Sequence, residues 1–281
     1  MRLARSYLYV PGNAPDKLPK AAASIADALI IDLEDAVPWS GKAEARREVR
    51  AWLSTQTAST KELWVRINSG DEALADIEAL EGISSLTGLV LAKAGSADDV
   101  RTIGDILTHR GHTSLLLSPL LETPGAIFQA RQIARQPRVL RLQIGEYDLC
   151  AEAGITPGPD EFEVAVMRSQ VVLASAEAGI QPPPAPVSIE IKDNEAFRRS
   201  TQTASRQGFV GRACIHPSQL AVVHETFTPD EGALEQARSV LQLFDEQVQA
   251  GSGVLIDANG RLLDEAVVRQ ARRTLNMAAR P

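Results

Sequence analysis

Along this chain, apolar runs of strand length alternate with stretches whose apolar positions recur at helical spacing. The strand-like runs are Tyr7–Val10, Ala28–Leu33, Leu63–Asn68, Gly88–Lys93, Ser114–Leu121, Val139–Ile144, Val187–Ile191 and Val210–Ile215, eight in all. Between them lie Asp16–Ala26, Lys42–Leu53, Asp71–Leu80, Asp98–Arg110, Thr123–Arg135, Asp160–Ala178 and Asn194–Gln207. These have helix-forming composition, and several open on an acid or threonine fit to cap a helix. Regular β-α alternation predicts a parallel sheet. A doubly wound open sheet would usually carry a glycine-rich turn after an early strand, and the single early candidate is Pro11-Gly12-Asn13. The pattern therefore favours an α/β TIM (β/α)8 barrel.

After His216 the pattern changes. Gly232–Ala250 reads as a long helix, Gly251–Asp264 as a hairpin around Asn259-Gly260, and Glu265–Ala279 as a closing helix. The expected organisation is a catalytic barrel over residues 1–225 and a C-terminal helix-hairpin-helix arm over 226–281. Gln181-Pro182-Pro183-Pro184-Ala185-Pro186 reads as a stiff connector within the barrel.

Several of the apolar runs end in acids. Leu29-Ile30-Ile31 runs into Asp32-Leu33-Glu34-Asp35, Leu120-Leu121 into Glu122, and Ile144-Gly145 into Glu146-Tyr147-Asp148. Any one of these acids reads equally as a helix cap. Repeated at three strand ends, they point to a metal-dependent site, and Glu122 and Asp148 lie about one βα unit apart, as two neighbouring barrel strands require.

Composition narrows the class. The 281 residues are 44% hydrophobic with a net charge of −7, which suits one large acidic globular domain and argues against a nucleic-acid surface. No apolar segment is long enough to span a membrane. Cys150 and Cys214 lie at neither CxxC nor zinc-ligand spacing, which fits a reducing cytoplasm; Cys150, next to Leu149, reads as a small core residue. Lys93 raises the alternative of a Schiff-base aldolase, and the paired metal acids weigh against it.

A set of short motifs then appears in order along nearly the full length: Arg5-Ser6-Tyr7-Leu8-Tyr9-Val10-Pro11-Gly12, Ile31-Asp32-Leu33-Glu34-Asp35, Val65-Arg66-Ile67-Asn68, Leu121-Glu122-Thr123-Pro124-Gly125, Gly145-Glu146-Tyr147-Asp148, Cys214-Ile215-His216-Pro217-Ser218 and Leu263-Asp264. In these the chain resembles the citrate lyase beta-chain-like branch of the aldolase/citrate lyase family, similar to malyl-CoA and citramalyl-CoA lyases.

The resemblance implies a TIM barrel that binds Mg²⁺ through Glu122 and Asp148 and makes or breaks a carbon–carbon bond in a 2-hydroxyacyl thioester. Two acids are enough for Mg²⁺, which completes its octahedron with water and substrate oxygens. Arg66 is expected to contact the reacting oxygens, the alternative being a structural ion pair with Glu34 or Asp35. Those two acids are expected to hold metal-bound water and to orient Arg66. The resemblance places Asp264 on an arm delivered to a neighbouring protomer, as the acid or base for the thioester enolate, in a homotrimer or hexamer; by itself Asp264 also reads as a helix N-cap. Lys17 and Pro217 are expected to help bind substrate, with His216 as a supporting wall.

The chain departs from its relatives where many carry Arg and it has Ala14, and where many carry Asp and it has Pro182-Pro183-Pro184. These changes imply an altered wall for the thioester. A coenzyme A thioester is the expected substrate, with an acyl-carrier-protein thioester, a thioester-hydrolysing variant and a non-catalytic scaffold as the other readings.

Overall fold

The computed structural model describes residues 3–56, 59–249 and 264–278. It divides into two compact units, Met1–His224 and Glu225–Pro281.

In the first unit, β1 (Ser6–Pro11) is followed by α1 (Lys17–Ala22), β2 (Ala28–Asp32) by α2 (Lys42–Ser54), and β3 (Glu62–Ile67) by α3 (Asp71–Ala79). Then come β4 (Gly88–Leu91), α4 (Ala97–His109), β5 (Leu116–Leu121), α5 (Pro124–Phe128), α6 (Ala130–Ala134), β6 (Gln143–Ile144), α7 (Glu146–Ala153), α8 (Ala165–Glu177), α9 (Asn194–Arg206) and β7 (Arg212–Cys214), and α10 (Gln219–Phe227) runs across the boundary at His224. The seven strands described form one parallel half-barrel sheet in the order β6-β5-β4-β3-β2-β1-β7.

Alternation along the strands sorts side chains between the two faces. Tyr7, Ala28, Ile30, Trp64, Val90 and Leu120 form one buried cluster, with Tyr9, Leu116 and Leu140 packed against it. Burying a side chain such as Ile30 or Val90 contributes roughly 1.5–3 kcal/mol. Gly88 makes room for this layer, because a Cβ there would lie 2.2 Å from the Leu116 carbonyl oxygen and 2.6 Å from the Trp64 ring. The other face is covered by helices through residues such as Ala45, Val49 and Leu53 of α2 and Val100, Gly104 and Leu107 of α4. Helix starts follow local chemistry: Ser96 and Asp193 accept backbone N–H bonds at the heads of α4 and α9, and Thr123 does so for α5, with Pro124 at its first turn.

Four expectations need correction. Val187–Ile191 is not a strand, and Ile189 and Ile191 are exposed. Instead the Pro-rich segment before it, expected to be a connector, hydrogen-bonds on both sides. Gln181 N donates to Leu140 O at 2.9 Å, Val210 N to Pro183 O at 3.0 Å, Ala185 N to Gly211 O at 2.9 Å and Ala213 N to Ala185 O at 3.0 Å. Proline has no N–H, so four prolines leave this segment one isolated bridge, Ala185 to Arg212, in place of a regular ladder. The helix expected over Thr123–Arg135 divides at Gln129 into α5 and α6. The helix expected from Asp160 begins at Ala165, after a short 3-10 turn.

In the second unit, α11 (Glu231–Gln249) and α12 (Glu265–Ala278) pack through Ala237, Val240 and Ala271, flanked by Leu241, Phe244, Val267 and Leu275. The hairpin expected around Asn259-Gly260 lies outside the described residues. Among the described residues no helix is long and apolar enough to cross a membrane, and both cysteines are buried and unpaired.

Candidate active site

The C-terminal ends of the strands surround a cavity of about 300 Å³ whose lining includes Tyr9, Pro11, Asp32, Asp35, Arg66, Glu122, Gln143, Glu146 and Asp148. Parallel strands present all their C-terminal ends on one side, so residues far apart in sequence meet there.

Arg66 and Asp32 are register partners on β3 and β2. The guanidinium grips Asp32 with Nε to Oδ1 at 2.7 Å and Nη2 to Oδ2 at 2.6 Å. Its remaining nitrogen, Nη1, reaches Glu34 at 3.0 Å and Asp35 at 3.6 Å, and Tyr9 lies under the guanidinium with 5.4 Å from Cζ to the ring centroid. Burial opposes the charge of Arg66, and Asp32 outweighs it, so the group stays cationic. Asp32 is the residue sequence reasoning left without a role. Its inward alternation with Ile30 was the available signal.

Glu34 is buried, which acts to raise its pKa, and the Lys93 ammonium at 2.6 Å together with Arg66 holds it below the usual range instead. Asp35 moves the other way: burial and the adjacent Glu34 carboxylate push it up. Lys93 is raised by its bond to Glu34, which keeps it protonated and unsuited to Schiff-base nucleophilic attack. Its backbone is in the left-handed region at φ +52°, a conformation with a cost for a residue with a side chain. The two contacts that hold it there are the ammonium on Glu34 and its own N–H donated to Glu122 Oε1.

Glu122 follows β5 and is 3% exposed. Burial pushes its pKa up to about 7, with the Lys93 N–H lowering it and the Glu34 and Asp148 carboxylates raising it. Gly145 lies against it, since a Cβ there would fall 2.6 Å from Glu122 Cβ and 2.8 Å from Oε2. Asp148 is in the first turn of α7. Arg168, 1% exposed on α8, takes both oxygens of Glu146 at 2.6 Å and one of Glu161 at 2.7 Å. Glu161 accepts from Ser200, which accepts from Arg212, and Arg212 Nε donates to Pro186 O. This buried relay, not anticipated from sequence, ties the head of α7 to the Pro184–Val187 part of the cavity wall.

The donors in the lining suit a hard divalent cation. Glu122 and Asp148 share the cavity, the raised pKa of Glu122 is what a nearby positive charge would reverse, and the described lining contains no histidine or cysteine. Among the described residues no three His, Cys, Asp or Glu side chains converge as a ligand cluster. Two carboxylates would leave the remaining positions to water and substrate, the arrangement Mg²⁺ favours.

The structure does not bring every expected residue to the cavity wall. Lys17 is exposed at the start of α1, beyond Pro11, which does line the cavity; Pro217 and His216 are exposed just past Ile215, which also lines it. Asp264 belongs to the second unit and caps α12, its Oδ1 accepting from Val267 N at 2.9 Å.

A family model described as HpcH/HpaI aldolase/citrate lyase matches residues 5–217. The chain is 31% identical over 281 residues to the citrate lyase subunit beta-like protein of Deinococcus radiodurans, covering 99% of this chain and 98% of that protein. It is 30% identical over 276 residues to (3S)-malyl-CoA thioesterase of Cereibacter sphaeroides, covering 98% and 94%. Among solved structures, that of CitE from Mycobacterium tuberculosis in complex with magnesium, acetoacetate and coenzyme A matches with a TM-score of 0.80 and 29% identity over 99% of both chains. With the family model spanning most of the chain and the strand-end carboxylates in place, this protein belongs to the HpcH/HpaI aldolase/citrate lyase family.

Proposed function

We propose that this chain is a Mg²⁺-dependent carbon–carbon lyase that cleaves, or in reverse forms, a 2-hydroxyacyl coenzyme A thioester, giving a 2-oxo acid and an acyl thioester. The observation that carries this reading is the meeting of Glu122, Asp148 and Arg66 around one cavity. Glu122 and Asp148 would hold the cation, which supplies Lewis-acid polarisation of the oxygen that becomes the ketone. Arg66, fixed by Asp32 and Glu34, stabilises negative charge developing on that oxygen. The bond between the hydroxyl-bearing carbon and the thioester α-carbon breaks, the hydroxyl proton passes to the water held beside Arg66, and the electron pair stays on the α-carbon as an enolate. Asp264, from the arm of a neighbouring protomer, gives that enolate its proton. Asp35 holds water beside Arg66, and Lys17 and Pro217 contact the thioester at the rim.

The proposed architecture is a closed (β/α)8 barrel over 1–225 with the arm over 226–281, assembled as a homotrimer or hexamer in the cytoplasm. The hydrogen bonds from Gln181–Pro186 to Leu140 on one side and to Gly211 and Ala213 on the other support closure. Coenzyme A is the favoured carrier, as in the complex of the structural relative, and a carrier-protein thioester is the alternative.

The test is release of 2-oxo acid from malyl-, citramalyl- and citryl-coenzyme A with Mg²⁺, with and without EDTA, beside Glu122→Ala. Metal-dependent release lost in the variant supports the lyase; no release from any thioester removes it. Hydrolysis of the thioester after cleavage is a second reading favoured by the (3S)-malyl-CoA thioesterase relative, and release of free coenzyme A thiol distinguishes it.

A further inference from the structure

Glu122, Glu146 and Asp148 reach the cavity from the ends of β5 and β6, and they differ in what already holds them. Glu122 accepts the Lys93 N–H at Oε1, and neither its Oε2 nor the carboxylate of Asp148 takes a hydrogen bond or ion pair among the described residues. Glu146 has both oxygens taken, by Arg168 Nε at 2.6 Å and Nη2 at 2.6 Å. Arg168 is 1% exposed, and its Nη1 donates to Glu161 at 2.7 Å, whose other oxygen accepts from Ser200 at 2.6 Å. The Glu161 backbone lies in the left-handed region at φ +56°, which a residue with a side chain adopts at a cost. A buried guanidinium persists only when its partners are complete. The fork on Glu146 is therefore fixed from behind, by residues that do not themselves line the cavity.

We propose that Arg168 is a positioning residue that withholds Glu146 from the cation, so that the ends of β5 and β6 offer it two carboxylates although they carry three, and that this withholding sets a preference for Mg²⁺ over Ca²⁺. The proposal rests on the lyase reading, in which Glu122 and Asp148 hold the cation. Mg²⁺ demands a near-ideal octahedron, uses few carboxylates and leaves positions to water and substrate, whereas Ca²⁺ accepts roughly six to eight oxygens in a flexible shell. A third carboxylate on the ion favours Ca²⁺ and fills a position that the 2-oxo acid needs. Two parallel charge-assisted hydrogen bonds from Arg168 keep Glu146 at the wall and away from the ion.

The experiment is calorimetric titration of the full-length protein with Mg²⁺ and with Ca²⁺, read as the ratio of the two dissociation constants. Both ions are divalent, so a change in the field or the general order of the site moves the two constants together and leaves the ratio in place. Arg168→Met frees Glu146 and is expected to move the ratio toward Ca²⁺ by about 10-fold or more. Combining Arg168→Met with Glu146→Gln removes the freed carboxylate and should return the ratio to within about threefold of the parent, as should Glu146→Gln alone. If Arg168→Met does not fold, Arg168→Lys keeps the buried cation without the fork and is expected to move the ratio in the same direction. An unmoved ratio in the folded Arg168 variant, a combined variant that keeps the single variant's shift, or a shift of about 10-fold in Glu146→Gln alone overturns the inference. Loss of Mg²⁺ binding in Glu122→Ala leaves the lyase reading standing in each of those cases. Absence of Mg²⁺ binding by the parent, or binding that survives Glu122→Ala unchanged, overturns both.

Discussion

Arg66 lies directly across the β2–β3 ladder from Asp32, and the two meet side-on through two hydrogen bonds of 2.7 and 2.6 Å. A paired geometry of this kind fixes the plane of the guanidinium as well as its charge, which is what a group aimed at a developing oxyanion needs. Register supplies it: Ile30 and Trp64 are partners two residues earlier on the same strands, so Asp32 and Arg66 share their inward face.

Removing the cation should therefore affect both folding and chemistry. Arg66→Met leaves Asp32 buried without its partner, and a loss of about 3–5 kcal/mol in urea unfolding is expected. Arg66→Lys keeps the charge but not the fork, so stability falls less while 2-oxo acid release falls by roughly 10²-fold or more. An Arg66→Met protein that unfolds at the parental urea concentration would contradict this account.

Glu122 links stability to pH with a definite sign. Its carboxyl is raised to about 7 by burial, so in the metal-free protein the native state holds an extra proton between the ordinary glutamate range and that value. Metal-free stability then falls as pH rises through this window. Glu122→Gln keeps an oxygen for the Lys93 N–H and removes the buried charge. It should raise the metal-free melting temperature above about pH 7, match the parent below about pH 4.3, and abolish stabilisation by Mg²⁺. Thermal melts across pH, with and without Mg²⁺, check all three outcomes.

Gly145 is required for space. An alanine methyl would fall 2.6 Å from Glu122 Cβ, so the Glu122 side chain, proposed to hold the cation, or the head of α7 must shift. Gly145→Ala is expected to weaken Mg²⁺ binding by roughly 10–100-fold, measured by calorimetry, while the unfolding transition remains cooperative. Unchanged affinity would show that Glu122 is free to move aside.

Asp264 has a visible structural role as the cap of α12 and a proposed chemical one. Asparagine caps as well as aspartate but cannot exchange a proton in the same way, whereas alanine caps poorly, at a cost of about 1 kcal/mol. Asp264→Asn should therefore keep the melting temperature and lose most of the 2-oxo acid release. Equal activity in Asp264→Asn and parent protein would leave the residue as a cap alone.

Comparison with the sequence shows where local pattern suffices. The first six strands and most of the helices of the first unit were legible because apolar periodicity, N-caps and proline positions are written within a few residues. So were the strand-end acids Glu122 and Asp148 and the candidate cation Arg66, since a buried run that stops at a charged residue is a local event. What the tertiary structure alone decided are contacts between distant segments: the pairing of Asp32 with Arg66 by sheet register, the bond from Lys93 to Glu34, the Arg168 clamp on Glu146, and the hydrogen bonds from Gln181–Pro186 to Leu140, Gly211 and Ala213. The misplaced strand at Val187–Ile191 has the same origin. Prolines argue locally against a strand, yet their carbonyls and the few remaining N–H groups still pair when neighbouring strands are brought alongside, and only the folded sheet brings them there.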